Sequence, residues 1–185
     1  SRIRSSKPLL RLHRAAVYRE GRSVIGTFDW TLERGQHWCL RGANGSGKST
    51  FIALLYGDLW PAHGGRLERY WSAVDDWKAR VGLVSPELQA RYSATGCTIE
   101  QIVASGLYAS IGLNEWPTAA ELRRVRRELR AWDLADLAAR QARELSYGQL
   151  RLALVARAFV RSRRLWLFDE PFGGLDADVR QRFRA

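Results

Sequence analysis

Methionine is absent from the 185 residues, and cysteine occurs only twice, at Cys39 and Cys97. Two distant cysteines make no disulfide framework, so a reducing compartment is the default setting. Cys39 lies in the apolar run Trp38-Cys39-Leu40 and is expected in the core. No apolar run reaches the roughly 18 residues that would suggest a membrane span. The start, Ser1 to Lys7, lacks the apolar centre of a signal peptide. With no methionine, and with an end at Arg184-Ala185 inside a charged, helical-looking stretch, the sequence is expected to be a fragment. Acidic residues are also scarce, 19 against 30 Lys plus Arg, for a net charge of +11. That balance fits a polyanionic partner, whether nucleotide, nucleic acid or anionic membrane, or equally a solvated arginine-rich surface. No internal repeat or low-complexity segment is present. The hydrophobic share of 46% is enough for one ordinary domain with room for an inserted sub-domain.

What is present alternates in period. Short strand-like runs occur at Leu9 to Leu12, Ala15 to Tyr18 and Val24 to Phe28, separated by polar turns such as Glu20-Gly21. His37-Trp38-Cys39-Leu40-Arg41 reads as a short buried strand, with His37 structural within it. A glycine-rich loop then leads into an apolar helical run from Lys48 to Tyr56, stopped by Gly57. Val81 to Val84 is the next buried strand. From about residue 86 to 145 the pattern is helical. Thr118 and Glu121 form a capping box there. Behind it Leu122, Val125, Leu129 and Trp132 share one helix face. Arg123, Arg124, Arg126, Arg127 and Arg130 lie largely on the opposite face, either a solvated surface or an interaction face. A further helix runs from Tyr147 to about Val160, and Leu165 to Phe168 is an apolar strand. The expected fold is α/β: a P-loop NTPase core of parallel sheet and flanking helices, with an N-terminal antiparallel β sub-domain and an inserted helical sub-domain. Residues 1–85 would form the β sub-domain and P-loop core, 86–145 the helical sub-domain, and 146–185 the segment returning to the core.

Two stretches carry chemistry. Gly42-Ala43-Asn44-Gly45-Ser46-Gly47-Lys48-Ser49 matches G-x-x-x-x-G-K-[ST] between an expected strand and an expected helix. The glycines let successive amides turn inward on phosphate oxygens, and the helix start adds partial positive charge. Gly42, Asn44, Gly45, Ser46 and Gly47 would cradle ATP. Lys48 would bridge the β- and γ-phosphates, Ser49 would ligate Mg2+, and Thr50 would support the phosphate end. The second stretch is the strand Leu165 to Phe168 ending in Asp169 and Glu170. Such a strand carries a carboxylate to the edge of the sheet. Asp169 would reach Mg2+ through its water shell, and Glu170 would take a proton from the attacking water.

Between these stretches lies Leu145-Ser146-Tyr147-Gly148-Gln149. It resembles the L-S-G-G-Q signature of the ABC (ATP-binding cassette) ATPases, with Tyr147 in place of the first glycine. The order of phosphate loop, helical segment, signature and apolar strand with Asp-Glu is also that family's order, and the resemblance covers nearly the whole chain. Ser146 is expected to cap the helix that begins at Tyr147, whose amides then face an anion. The resemblance implies that this anion is the γ-phosphate held by an opposite cassette. Ser146, Gly148 and Gln149 would then act across a cassette dimer, and hydrolysis would require it. It also implies that Tyr18 stacks on adenine, although a core or hairpin tyrosine is equally open, and that Asp176 in Gly173-Gly174-Leu175-Asp176 couples the two sites.

The sequence departs from the family pattern in two places. Ser85-Pro86 occupies the place of a glutamine that touches the metal, and Gln89 comes later: either Gln89 reaches in, or the contact is missing. The family's switch histidine would fall beyond Ala185, since His13, His37 and His63 all precede the acidic pair. Hydrolysis by this stretch alone is therefore expected to be weak. The resemblance implies an ABC transporter ATP-binding protein at the inner face of a membrane, its helical sub-domain docking a permease. A cytoplasmic non-transport cassette is the alternative, in the branch of molybdenum-transport and photorepair ATPases. These often carry two cassettes in one chain, and a nucleic-acid partner is conceivable for them. A P-loop phosphotransferase is a different-class reading, and the signature argues against it.

Overall fold

The computed structural model describes residues 8–70 and 77–174. They belong to two compact units, residues 1–77 and 78–185.

In the first unit, β1 (Pro8–Arg19) lies between β2 (Arg22–Glu33) and β3 (Arg66–Arg69) in an antiparallel sheet of order β2-β1-β3. Glu20 and Gly21 join the hairpin with φ of 50° and 75°. Left-handed backbone at both loop positions matches the twist of the strands it joins. The two runs expected as separate strands, Leu9 to Leu12 and Ala15 to Tyr18, are one strand with a bulge. The register shifts between Leu12 and Ala15, and Arg14 has φ 45°. Asp29 holds the bulge: its Oδ1 accepts from the Arg14 amide and faces His13 Nδ1, both at 2.8 Å. The Arg14 amide bond, then His13, keeps the Asp29 carboxyl below the usual range.

Helix α1 (Lys48–Tyr56) buries Thr50, Leu54, Leu55 and Tyr56. It stops at Gly57, whose φ of 94° lets its amide reach the carbonyls of Ala53 and Leu54 at 3.0 and 3.2 Å. An L-residue would be strained there. Phe51 fixes the helix against β2, with ring centroids 5.8 Å from Phe28 and 5.3 Å from Trp30. The buried Trp77 indole donates to the Leu55 carbonyl at 3.0 Å.

The segment from His37 to Arg41 corrects the sequence expectation. It is exposed and belongs to no strand. Among the described residues no strand pairs with it, so an apolar run alone did not make a ladder. Cys39 is exposed rather than in the core, and His37 is exposed as well. Trp38 keeps a local partner, an edge contact with Trp30 at 5.4 Å.

A helical turn, α2 (Trp77–Arg80), leads into the second unit, where β4 (Val81–Val84) pairs in parallel with β5 (Leu165–Phe168). Helices α3 (Pro86–Ser93), α4 (Ile99–Ser105), α5 (Ala119–Ala131) and α6 (Tyr147–Phe159) fill the interval, with 3-10 turns at Ala135–Leu137 and Ala142–Glu144. The capping boxes of α4 (Thr98, Gln101) and α5 (Thr118, Glu121) are both closed. Val125 and Leu129 are buried on α5 and the arginine face is exposed, as the periodicity predicts. Helix α6 is the axis of this unit and buries Leu150, Ala153, Leu154, Val155, Ala156 and Ala158.

Arginine side chains lock α4 onto α6. Arg157 is buried. Its Nε donates to Tyr92 Oη at 3.0 Å and to Ser105 Oγ at 3.2 Å, and its Nη2 donates to the Ser110 carbonyl at 2.9 Å. Arg161 donates to the Leu107 carbonyl at 2.9 Å, and Arg163 donates to the carbonyls of Ala79 and Gly106. Several of these acceptors lie at or just beyond the end of α4, where the helix dipole favours positive charge. Gly106 is needed at the crossing, because a Cβ there would sit 2.8 Å from Val160 Cγ1.

Candidate functional site

The loop from Gly42 to Gly47 is exposed or half-exposed and ends directly on α1. Gly45 and Gly47 have φ of 79° and 91°. The dihedral of Gly47 calls for glycine, and a Cβ there would also crowd the Val24 carbonyl oxygen at 3.1 Å. A Cβ on Gly42 would stand 2.6 Å from Ser46 Oγ. The loop closes on itself through the Ser46 amide, which donates to the Ala43 carbonyl at 3.2 Å. Lys48 folds back across it. Its Nζ donates to the carbonyls of Gly42 at 2.9 Å and Ala43 at 2.7 Å. Gly47 supplies no side chain to cap α1. The first-turn amides of α1 and the lysine ammonium therefore belong to one turn of chain, which is what an anion requires. Asn44 is exposed in the loop, Ser49 is exposed on the first turn, and Thr50 is buried. Tyr18 is exposed at the end of the hairpin, opposite Ser23.

The acidic pair is set by β5. The Asp169 amide donates to the Val84 carbonyl at 2.8 Å, and Asp169 is buried. Glu170 turns the other way. It is exposed, has φ 48°, and its carbonyl accepts from the Gly173 amide at 3.0 Å. A left-handed glutamate is strained backbone, which marks this turn as held by its surroundings. Trp166 and Phe168 alternate with buried Leu167 and stack on Phe159, with centroids at 5.7 and 6.3 Å.

Ser146 caps α6. Its Oγ accepts from the Gln149 amide at 3.2 Å, and the Gln149 side chain accepts from the Ser146 amide at 3.0 Å. Gln149 is thereby held at the helix start, with Gly148 half-exposed on the first turn. Ser85 and Pro86, where the family has its glutamine, begin a helix instead: Ser85 Oγ accepts from the Leu88 amide at 3.1 Å. Gln89 is buried one turn on, and its Nε2 donates to the Tyr147 carbonyl at 3.0 Å. Sequence reading missed this bond and the Tyr147–Arg151 contact. The spacing of four residues on α6 was a signal for the latter. Asp176 lies outside the described residues. Among the described residues no helix is long and apolar enough to cross a membrane.

Comparison with known proteins agrees with these features. The ABC transporter family model matches residues 25–173. The chain is 31% identical over 190 residues to the ABC transporter ATP-binding protein ModF of Escherichia coli K12, covering 97% of this chain and 38% of ModF. It is 35% identical over 176 residues to the cytochrome c biogenesis ATP-binding export protein CcmA of Bordetella bronchiseptica, covering 94% of this chain and 74% of CcmA. The chain thus spans well under half of the one relative and about three-quarters of the other. A solved nucleotide-free ATP-binding cassette from an ABC transporter superimposes with a TM-score of 0.72 at 20% identity, over 95% of this chain and 74% of that one. At that identity the likeness speaks for the fold. The chain belongs to the ABC transporter family, as one of its ATP-binding cassettes.

Proposed function

We propose that the chain binds Mg-ATP and, paired with a second cassette, hydrolyses it to drive the opening and closing of an ABC transporter. One observation carries the reading: Lys48 and the uncapped first turn of α1 are held together by a loop whose Gly45 and Gly47 take left-handed backbone that side-chain residues rarely adopt. Gly42, Asn44, Gly45, Ser46 and Gly47 wrap the phosphates, Lys48 neutralises them, Thr50 supports the phosphate end, and Tyr18 offers an exposed ring to adenine.

Ser49 offers a hydroxyl and Asp169 a carboxylate, hard oxygens of the kind magnesium takes. Magnesium carried with ATP would neutralise charge on the phosphates. Glu170 is the exposed carboxylate next to Asp169 and accepts the proton of the attacking water. The capped start of α6, with Ser146, Gly148 and Gln149, faces the phosphate of the partner cassette, whether that is a second copy or a tandem cassette in the same protein. Asp176 belongs to the link between the two sites. The reading puts the protein on the cytoplasmic side, its helices between 86 and 145 docked on a permease.

Glu170→Gln tests the pairing. With turnover blocked, Mg-ATP should shift this variant from monomer to dimer in light scattering behind a sizing column, and ADP should not. A variant that binds Mg-ATP yet stays monomeric at all protein concentrations would overturn the paired mechanism.

A further inference from the structure

Tyr147 stands where the family signature has a glycine, and its ring, hydroxyl and carbonyl are all engaged. The carbonyl accepts from Gln89 Nε2 at 3.0 Å. The hydroxyl accepts from Arg151 Nη2 at 2.7 Å, and the guanidinium lies over the ring, 5.4 Å from its centre. The ring covers Gly174, in the turn after the acidic pair: a Cβ there would sit 2.8 Å from Tyr147 Cε1. Gly174 has φ 70°. Arg151 is wholly buried, and its Nε and Nη1 have no partner among the described residues. Among the described residues the Tyr147 hydroxyl is thus its one hydrogen-bond acceptor. A buried guanidinium that would lose its remaining bond holds that tyrosine firmly.

We infer that Tyr147 is a positioning residue that ties the start of α6 to the turn following Glu170 within one cassette. The inference rests on the reading of Ser146 and the α6 start as a nucleotide-facing element. A signature glycine could carry none of the ring and hydroxyl contacts. Here a shift of the Gly173-Gly174 turn presses on the Tyr147 ring; the ring is fixed to α6 through Arg151, and the Tyr147 carbonyl is held to α3 by Gln89. Movement at the acidic end of β5 therefore reaches the Ser146 amides directly. Gln89, buried and bonded to Tyr147, serves as a strut in this assembly.

The test is a double-mutant cycle read by amide hydrogen exchange over residues 146–152. Gly174→Ala introduces backbone strain in any background, and that part cancels in the cycle. In the parent, the added methyl group must displace the Tyr147 ring, and exchange at the α6 start should accelerate about tenfold or more. In a Tyr147→Gly background the same substitution should change it less than about twofold. Equal acceleration in both backgrounds would overturn the coupling. Tyr147→Phe keeps the ring and removes the hydroxyl. It should lower kcat severalfold while leaving KM for ATP unchanged, and an unchanged kcat would contradict a positioning role. Failure of the parent to bind Mg-ATP would instead defeat the reading of the site, which the exchange cycle does not require.

Discussion

The amide of Asp169 donates to the carbonyl of Val84 at 2.8 Å, one residue past the last paired position of β4 and β5. A main-chain bond thus carries the carboxylate to the end of the parallel strand, and the side chain is left for other work. Asp169→Asn should keep that bond and the thermal midpoint within a few degrees of the parent. It should abolish the gain in ATP affinity on adding magnesium. Titrations with and without the ion give the answer, and an undiminished magnesium effect would remove Asp169 from the metal's ligands.

Glu170 combines a strained backbone with a chemical role, so stability and activity should part company there. Glu170→Gly relieves the left-handed φ of 48° and should stabilise the chain by about 1 kcal/mol. The same change removes the proposed base and should cut turnover by roughly 10² to 10⁴-fold. Chemical denaturation and a phosphate-release assay on the intact protein measure the two effects separately.

Helix α5 begins at a box in which Thr118 Oγ1 accepts from the Glu121 amide at 3.3 Å and the Glu121 carboxylate accepts from the Thr118 amide at 2.8 Å. Thr118→Ala should cost about 1 kcal/mol, seen as a lower urea midpoint with the same slope. The bonds from the Thr118 hydroxyl and amide hold the Glu121 carboxyl below the usual glutamate range. A depressed carboxyl stabilises the fold above its ordinary value, and that contribution is lost as pH falls through the folded value. The stability difference between parent and Glu121→Gln should therefore shrink in acid.

Arg157 makes its three bonds to Tyr92, Ser105 and Ser110 from a buried position. Arg157→Met fills much of the same volume without the charge. It should cost on the order of 3 kcal/mol, because three bonds from a charged donor are lost together, while the Ser110 carbonyl keeps the Tyr92 hydroxyl at 3.1 Å. Tyr92 and Ser105 keep each other at 2.6 Å, so the loss should stop short of unfolding the unit. Amide exchange should rise first along α4.

Features that depend on neighbours three or four residues away were legible in the sequence. Ser146 with Gln149, Thr118 with Glu121, and Gly57 closing α1 all state their chemistry locally. The glycine-rich loop leading into α1 and the apolar strand ending at Asp169 were legible as local structure for the same reason. Features that depend on distant partners were not. The run from His37 to Arg41 has the composition of a strand, yet pairing needs a neighbour that composition does not reveal. The β1 bulge hid because its anchor, Asp29, lies on the opposite strand. Ser85-Pro86 departs from the family pattern, and the structure gives that departure a local role, with Ser85 as the cap of α3. The links from Arg157 to Tyr92 and from Gln89 to Tyr147 span 65 and 58 residues, with no local pattern to announce them.

The Lys48 ammonium bridges the carbonyls of Gly42 and Ala43 in the loop proposed to hold the phosphates. Calorimetric titration of Mg-ATP into the parent and into Lys48→Ala is the decisive measurement. Loss of a charge-assisted phosphate contact should weaken binding at least about tenfold, with the fold intact by circular dichroism. Equal affinity in the two proteins would contradict the assignment of this loop as the nucleotide site.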